Sequence, residues 1–519
     1  MTLLSAPSGI EVGTGSLRPA DVVAVARQGA AVSLSGAAIA AMSVGRGHID
    51  ALAAAEHPVY GVSTGFGALA VRHIPPPQRA QLQRSLIRSH AASSGAEVET
   101  EVIRAMMLLR LKTLASGWTG VRPETASTVA SLLTAGITPI VREYGSLGCS
   151  GDLAPLAHVA LAVMGEGEVR VAGGHVESAA SAMAAAGIVP VELAAKEGLA
   201  LINGTDGMLG MLVLACHDLR GLLRVADVAA AMSVEGLLGT DRVFAAELQS
   251  LRPHPGQAAS AANIRAILAG SSIVASHRTD ECAIVQDAYS LRCAPQVAGA
   301  VRDTLEHAEV VAARELASVI DNPVLLPDGR VESNGNFHGA PVGYVLDFLA
   351  IAVADVASMS ERRTDRFLDV HRSNGLPPFL ADDPGVDSGL MIAQYTSASL
   401  VSELKRLAVP ASVDSIPSSA MQEDHVSMGW HAGRKLRRSV DGLTRVLAIE
   451  VLTGARALDL RAPLLPAPAT AAVVRALHDS GIGGPGPDRH LAPEIEAAVT
   501  AVAGNVVRAA AESVTGPLR

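Results

Sequence analysis

The chain has 519 residues, enough for two or three ordinary domains, and 49% of them are apolar, so a large core is within reach. A formal net charge of −10 supplies no basic face, which sets nucleic-acid binding aside. Aromatics make up only 3%, and alanine dominates the apolar set, a composition that favours closely packed helices.

The first fifteen residues, Met1–Gly15, lack a basic segment followed by an apolar one, so no secretory signal is expected. Four cysteines, Cys149, Cys216, Cys282 and Cys293, form no Cys-x-x-Cys and no zinc-like spacing, and no metal site is expected. A reduced, cytoplasmic protein is the expectation. The mean hydropathy is positive, +0.32. The apolar runs nevertheless carry charges (Asp347 and Asp355 within Tyr344–Ser360), so no clean span of about 18 to 20 residues is read. Helices buried on many sides, as in an oligomer, are the alternative source of that hydropathy.

In chain order, Ile10 to Ala55 mixes short strand-like pieces with Ala-rich helical ones, and Tyr60–Gly67 is a glycine-punctuated loop. Ile74-Pro75-Pro76-Pro77 breaks the chain before predicted helices over Gln78–His90, Glu99–Ala115 and Pro123–Ala135. Glu166–His175 reads as a small hairpin turning at Gly173-Gly174. From Lys196 onward the pattern lengthens, with helices predicted over Gly204–Leu238, Ala259–Leu268, Pro295–Ala317, Gly339–Ser360, Ser388–Leu407, Asp424–Leu452 and Pro493–Val514. The fold class expected is mainly α: a long central helical bundle over 196–519, with a smaller mixed N-terminal lobe over 1–195. Gly481–Gly486 satisfies G-x-G-x-x-G but contains Pro485 and follows no strand, so a surface turn is the reading.

Within the N-terminal lobe lies Gly145-Ser146-Leu147-Gly148-Cys149-Ser150-Gly151-Asp152, with three glycines and two serines in its first seven residues, ahead of an Ala/Leu-rich helix. Such density marks a forced backbone geometry. Attack of the Gly151 nitrogen on the Cys149 carbonyl closes a five-membered ring, and loss of water from Ser150 leaves a conjugated methylene, a strong electrophile. Gly151 suits the attack because no Cβ hinders its nitrogen. A lone segment of this kind is more often a plain loop and helix cap. A nucleophile elbow is disfavoured, since Gly151 follows Ser150 at once.

The segment from Gly145 to His158 resembles the cofactor loop of the aromatic amino acid ammonia-lyases, which form a methylidene-imidazolone (MIO) electrophile from Ala-Ser-Gly; here Cys149 replaces the alanine. The resemblance implies an MIO built from Cys149, Ser150 and Gly151 with a pendant thiol. It extends to Tyr60 in Tyr-Gly-Val-Ser-Thr-Gly-Phe-Gly, a residue implied to assist proton transfer, and to Asn203 in Asn-Gly-Thr, implied to donate to cofactor or substrate. Gln286-Asp287-Ala288-Tyr289-Ser290-Leu291-Arg292-Cys293 resembles the family segment in which Tyr289 takes the β-proton, Arg292 grips the substrate carboxylate and Gln286 orients both. Phe337, in Asn-Phe-His-Gly, is implied to pack against the electrophile.

Ser89-His90 and Glu423 within Gln422-Glu423-Asp424-His425-Val426-Ser427 match the histidine-specific members. A carboxylate there binds an imidazole N–H, a role without use for a phenyl ring. The implied reaction is deamination of L-histidine to trans-urocanate, in a homotetramer whose active sites draw on three subunits. Ser63, Asp206 and Met421 depart from the histidine pattern, and Asp206 introduces a carboxylate beside Asn203. Another amino acid substrate, a 2,3-aminomutase and a helical homologue without catalysis stay open at this point.

Overall fold

The computed structural model describes residues 9–54, 59, 61–65, 69, 72–278 and 285–519. Helix dominates as the alanine-rich periodicity requires: twenty α-helices occur among the described residues, while the longest strand has four residues. The chain divides into two compact units.

The first unit comprises Met1–Ala215, Glu309–Asp347 and Pro410–Arg434. Its core is the helix Thr100–Ala115, in which every residue from Val102 to Ala115 is buried. Helices Pro19–Arg27 and Pro123–Thr134 pack on it, each started by a proline where no helical N–H is needed. Among the described residues four small sheets edge the unit, one of them the antiparallel pair Val324–Leu325 and Val331–Glu332. Ile10–Val12 pairs in parallel with Val32–Leu34, Ser94–Glu97 pairs antiparallel with Arg142–Tyr144, and Thr138–Pro139 joins the hairpin Glu168–Arg170/Val176–Ser178. That hairpin turns through Gly173 and Gly174 at φ +95° and +88°. The Arg142–Tyr144 strand delivers the chain to Gly145, and the helix Leu153–Val163 carries it away.

The second unit comprises Cys216–Ala308, Phe348–Val409 and Lys435–Arg519. Within it the helices Pro468–Asp479 and Val506–Thr515 pack together. Its buried carboxylate, Glu450, accepts from Ser233 Oγ at 2.7 Å, from Ser360 Oγ and from two Arg363 nitrogens at 2.5 and 2.9 Å. A carboxylate so fully paired braces helices.

The structure alters several predicted boundaries; the helix predicted over Gly339–Ser360, for one, runs on to Leu368. Pro493–Val514 is two helices, Ala492–Ala503 and Val506–Thr515, because Asn505 adopts a left-handed φ of +67°. The helix predicted from Asp424 starts at Gly429 and runs to Asp459. Upstream of it Ser419, Ala420, Met421 and Met428 all have positive φ, so Glu423 lies in a constrained loop. One helix among the described residues, Ala340–Leu368, is long and apolar enough to cross a membrane, although 61% of its apolar window is buried within the protein.

Candidate active site

Residues 145–152 are held in a tight arc. Ser146 Oγ donates to Asp152 Oδ1 across six residues at 2.9 Å, and the Met208 amide, at the start of the helix Asp206–Gly236, donates to Asp152 Oδ2 at 2.9 Å. The Asp152 amide in turn donates to the Gly204 carbonyl at 2.7 Å. Asp152 is fully buried, and burial pushes its carboxyl up to about 7 against those donors. From the other side, Ser427 Oγ donates to the Gly148 carbonyl at 2.9 Å and the Met428 amide to the Leu147 carbonyl at 2.9 Å.

Gly151 is required by this geometry. Its φ is +78°, and a Cβ there would lie 2.1 Å from the Gly204 carbonyl oxygen and 2.3 Å from its carbon. The residue whose nitrogen attacks in the proposed cyclisation therefore sits where only glycine fits, with its neighbours bent back on themselves. Cys149-Ser150-Gly151 fits the self-formed electrophile in both chemistry and backbone.

A cavity of about 590 Å³ opens over this arc and is lined by Ser150, His90, Asn203 and Glu423 together with Leu82, Leu86, Leu153, Leu199 and Ile202. Four residues singled out from sequence, separated by as much as 333 positions (His90 to Glu423), thus share one mostly apolar chamber. Glu423 is bound to the loop below it. Its Oε2 accepts from Cys149 Sγ at 3.2 Å and from Ser418 Oγ at 3.0 Å, and its Oε1 accepts from Ser150 Oγ at 3.5 Å. Burial and the Glu423 charge push the Cys149 thiol up to about 12, so it stays protonated. His90 Nδ1 lies 2.9 Å from the Leu86 carbonyl, and burial lowers its pKa below the ordinary imidazole value.

Behind Asn203 lies a buried charge cluster. The fully buried Arg110 donates to the Asn203 and Ile320 carbonyls, each at 2.7 Å, and its Nε is 3.4 Å from Asp206 Oδ2. Asp206 therefore faces Arg110 and is not among the described residues that line the cavity. Burial raises its pKa while the Arg110 charge opposes that shift. Lys112 joins the cluster and is lowered to about 8 by burial. Asn203 Nδ2 donates to the Asn322 carbonyl at 3.0 Å, and its buried Oδ1 has no hydrogen-bond partner among the described residues.

Among the remaining sequence candidates, none of those described is a lining residue of the cavity. Tyr60 lies outside the described residues. Phe337 is half-buried beside Gly339, whose amide meets the Gly148 carbonyl at 3.4 Å, and the neighbouring His338 ring stacks on His425 with centroids 5.6 Å apart. Gln286, Tyr289 and Arg292 belong to the second unit. There Tyr289 opens a one-turn helix, is 70% exposed, and has the Arg292 guanidinium 4.6 Å from its ring centre. Asp287, between them, anchors the segment by accepting from the Thr240 amide at 2.7 Å.

Sequence reasoning passed over Arg72, Ser85, Asn322 and Ser419, which also line the cavity, and Asp152, Ser418 and Ser427, which hold the loops. The signal for Arg110 and Lys112 was present: two cations inside the apolar run Met106-Met107-Leu108-Leu109-Arg110-Leu111-Lys112 need buried partners. A larger cleft of about 940 Å³ lies elsewhere in this unit, along the helix Pro123–Thr134 and residues 186–192, and includes none of the candidate residues.

Comparison with known proteins identifies the family. The profile of the family described as aromatic amino acid lyase matches residues 17–479. The chain is similar to the histidine ammonia-lyase of Streptomyces coelicolor, at 66% identity over 98% of this chain and 99% of that protein. Among solved structures it is similar to a tyrosine aminomutase from Streptomyces globisporus, with a TM-score of 0.93 at 37% identity, covering 98% of this chain and 100% of that one. The histidine ammonia-lyase of Trypanosoma cruzi superposes with a TM-score of 0.88, also at 37% identity, over 97% and 95% of the two chains.

Proposed function

The chain belongs to the aromatic amino acid lyase family, and we propose that it converts L-histidine to trans-urocanate and ammonia at the Ser150 cavity. The observation that carries this reading is the carboxylate of Glu423 at the Ser150 hydroxyl, in a cavity that His90 also lines. A phenyl ring offers nothing for that carboxylate to bind, whereas an imidazole N–H does, and positive charge developing on the imidazole is stabilised by it.

The MIO formed from Cys149, Ser150 and Gly151, with loss of two waters, supplies the electrophile that activates substrate for loss of ammonia. The chain's own residues divide the remaining work. Glu423 accepts the imidazole N–H, and His90, kept neutral by burial, is a second hydrogen-bonding group for the ring. Asn203 orients the carboxylate end of the substrate, and the apolar wall of Leu82, Leu86, Leu153 and Leu199 excludes water. Tyr289 takes the β-proton, Arg292 holds the carboxylate with its planar fork, and Gln286 orients the two. Tyr60 assists proton transfer, and Phe337 shields the electrophile.

Tyr289, exposed within its own chain, is supplied to a site completed by other subunits of a cytoplasmic homotetramer. That assembly is supported by exposed Tyr344, Phe348 and Ile351, which share one face of the helix Ala340–Leu368 by their spacing. The test is turnover of L-histidine, followed by urocanate absorbance in the near ultraviolet and by ammonia. Wild type is expected to be lighter than its translated sequence by two waters and active, and Ser150→Ala to be unmatured and inactive. A fully active Ser150→Ala would overturn the reading.

A further inference from the structure

We propose that Cys149 is a positioning residue for Glu423: its S–H donates to Oε2 and thereby leaves Oε1 as the oxygen that meets the substrate imidazole. The inference rests on the histidine reading above and adds a role for a side chain that ring formation does not use.

The terminal torsion of a glutamate is broad and nearly two-fold, so a carboxylate held at one point still exchanges its oxygens. Here two donors converge on the same oxygen from different loops, Cys149 Sγ at 3.2 Å and Ser418 Oγ at 3.0 Å. The contact to the other oxygen, from Ser150 Oγ at 3.5 Å, comes from the hydroxyl that leaves as water when the ring closes. Maturation therefore removes the partner of Oε1 and leaves those of Oε2, because the ring takes only backbone atoms from Cys149. The outcome is a carboxylate with one oxygen fixed to the protein and the other open on the Ser150 side, where Ser150, Asn203 and His90 line the cavity.

The thiol suits this task. It is 7% exposed, and burial together with the Glu423 charge pushes it up to about 12, so it remains a donor at any pH at which the enzyme works. Alanine at this position supplies the same backbone and no donor, leaving Oε2 to Ser418 alone.

Cys149→Ala and Cys149→Ser are compared with wild type, each first weighed intact to establish the loss of two waters. Without the donor, the KM for L-histidine is expected to rise about three- to tenfold and kcat to fall with it, because Glu423 both binds the imidazole and stabilises the charge that develops on it. The Kd for trans-urocanate, measured by calorimetric titration, is expected to rise in step. Cys149→Ser, which keeps a donor, is expected to restore both. An unchanged KM in Cys149→Ala, or a Cys149→Ser as impaired as Cys149→Ala, would overturn the proposal. Should Cys149→Ala fail to mature, the donor-free Cys149→Gly gives the same comparison. A wild-type chain that has lost two waters yet leaves L-histidine untouched refutes the substrate assignment itself, a result separate from any difference among the variants.

Discussion

Glu423 and Cys149 show how far single residues speak through their surroundings. As an isolated letter Glu423 is a charge near a helix start, and only its motif and its 3.5 Å approach to Ser150 Oγ give it a chemical task. Glu423→Gln keeps the shape and removes the charge, so kcat/KM for L-histidine is expected to fall on the order of a hundredfold while the two-water mass loss persists. A variant as active as wild type would remove the imidazole-binding role. Because its thiol is held near 12, Cys149 is expected to resist iodoacetamide at pH 8, whereas a free surface cysteine reacts; peptide mapping reads this directly, and prompt alkylation would contradict it. Asp206 is the opposite case. Its letter suggested a charge beside substrate, and its true partner, Arg110, is 96 positions away in sequence, a pairing that no local pattern reveals.

At the scale of elements, the long helices were legible because alanine-rich periodicity and starting prolines act locally, as in Pro123–Thr134. The loop Ser418–Met428 was not. It holds positive φ values at Ser419, Ala420 and Met421, closed by the backbone pairing of Ser418 with Glu423, and at Met428, whose amide meets the Leu147 carbonyl, and helix propensity alone extended the following helix back over Asp424. The arc itself makes a sharp prediction. Gly151→Ala places a Cβ 2.1 Å from a backbone oxygen, which cannot rotate away, so maturation and activity are expected to vanish. Gly148→Ala is strained too, at φ +70°, but its Cβ meets Ser427 Oγ at 2.1 Å, a side-chain atom that can turn aside, so its mass loss is expected to be reduced and not abolished. Intact mass distinguishes the two, and a fully matured Gly151→Ala would contradict the account.

For the molecule as a whole, fold and substrate separate. A tyrosine aminomutase and a histidine ammonia-lyase both superpose closely on this chain, so the helical scaffold does not choose the amino acid, and the choice is expected to lie in the cavity. Its pH behaviour follows from His90, which burial keeps below the ordinary value of 6.5. His90 is thus neutral at pH 7. As pH falls through its lowered value it is expected to gain a proton, and its charge then competes with the substrate imidazole for Glu423. The acid limb of kcat/KM is expected to lie below 6.5 and to flatten in His90→Gln, apart from the titration of L-histidine itself; an unchanged limb in that variant would assign it elsewhere. The most direct test of the central claim is a side-by-side assay of the matured wild-type chain with L-histidine, L-tyrosine and L-phenylalanine. Ammonia and a conjugated acid are expected from L-histidine, with kcat/KM for the other two lower by about a hundredfold or more. Turnover of L-tyrosine or L-phenylalanine at a kcat/KM equal to or above that for L-histidine would contradict it.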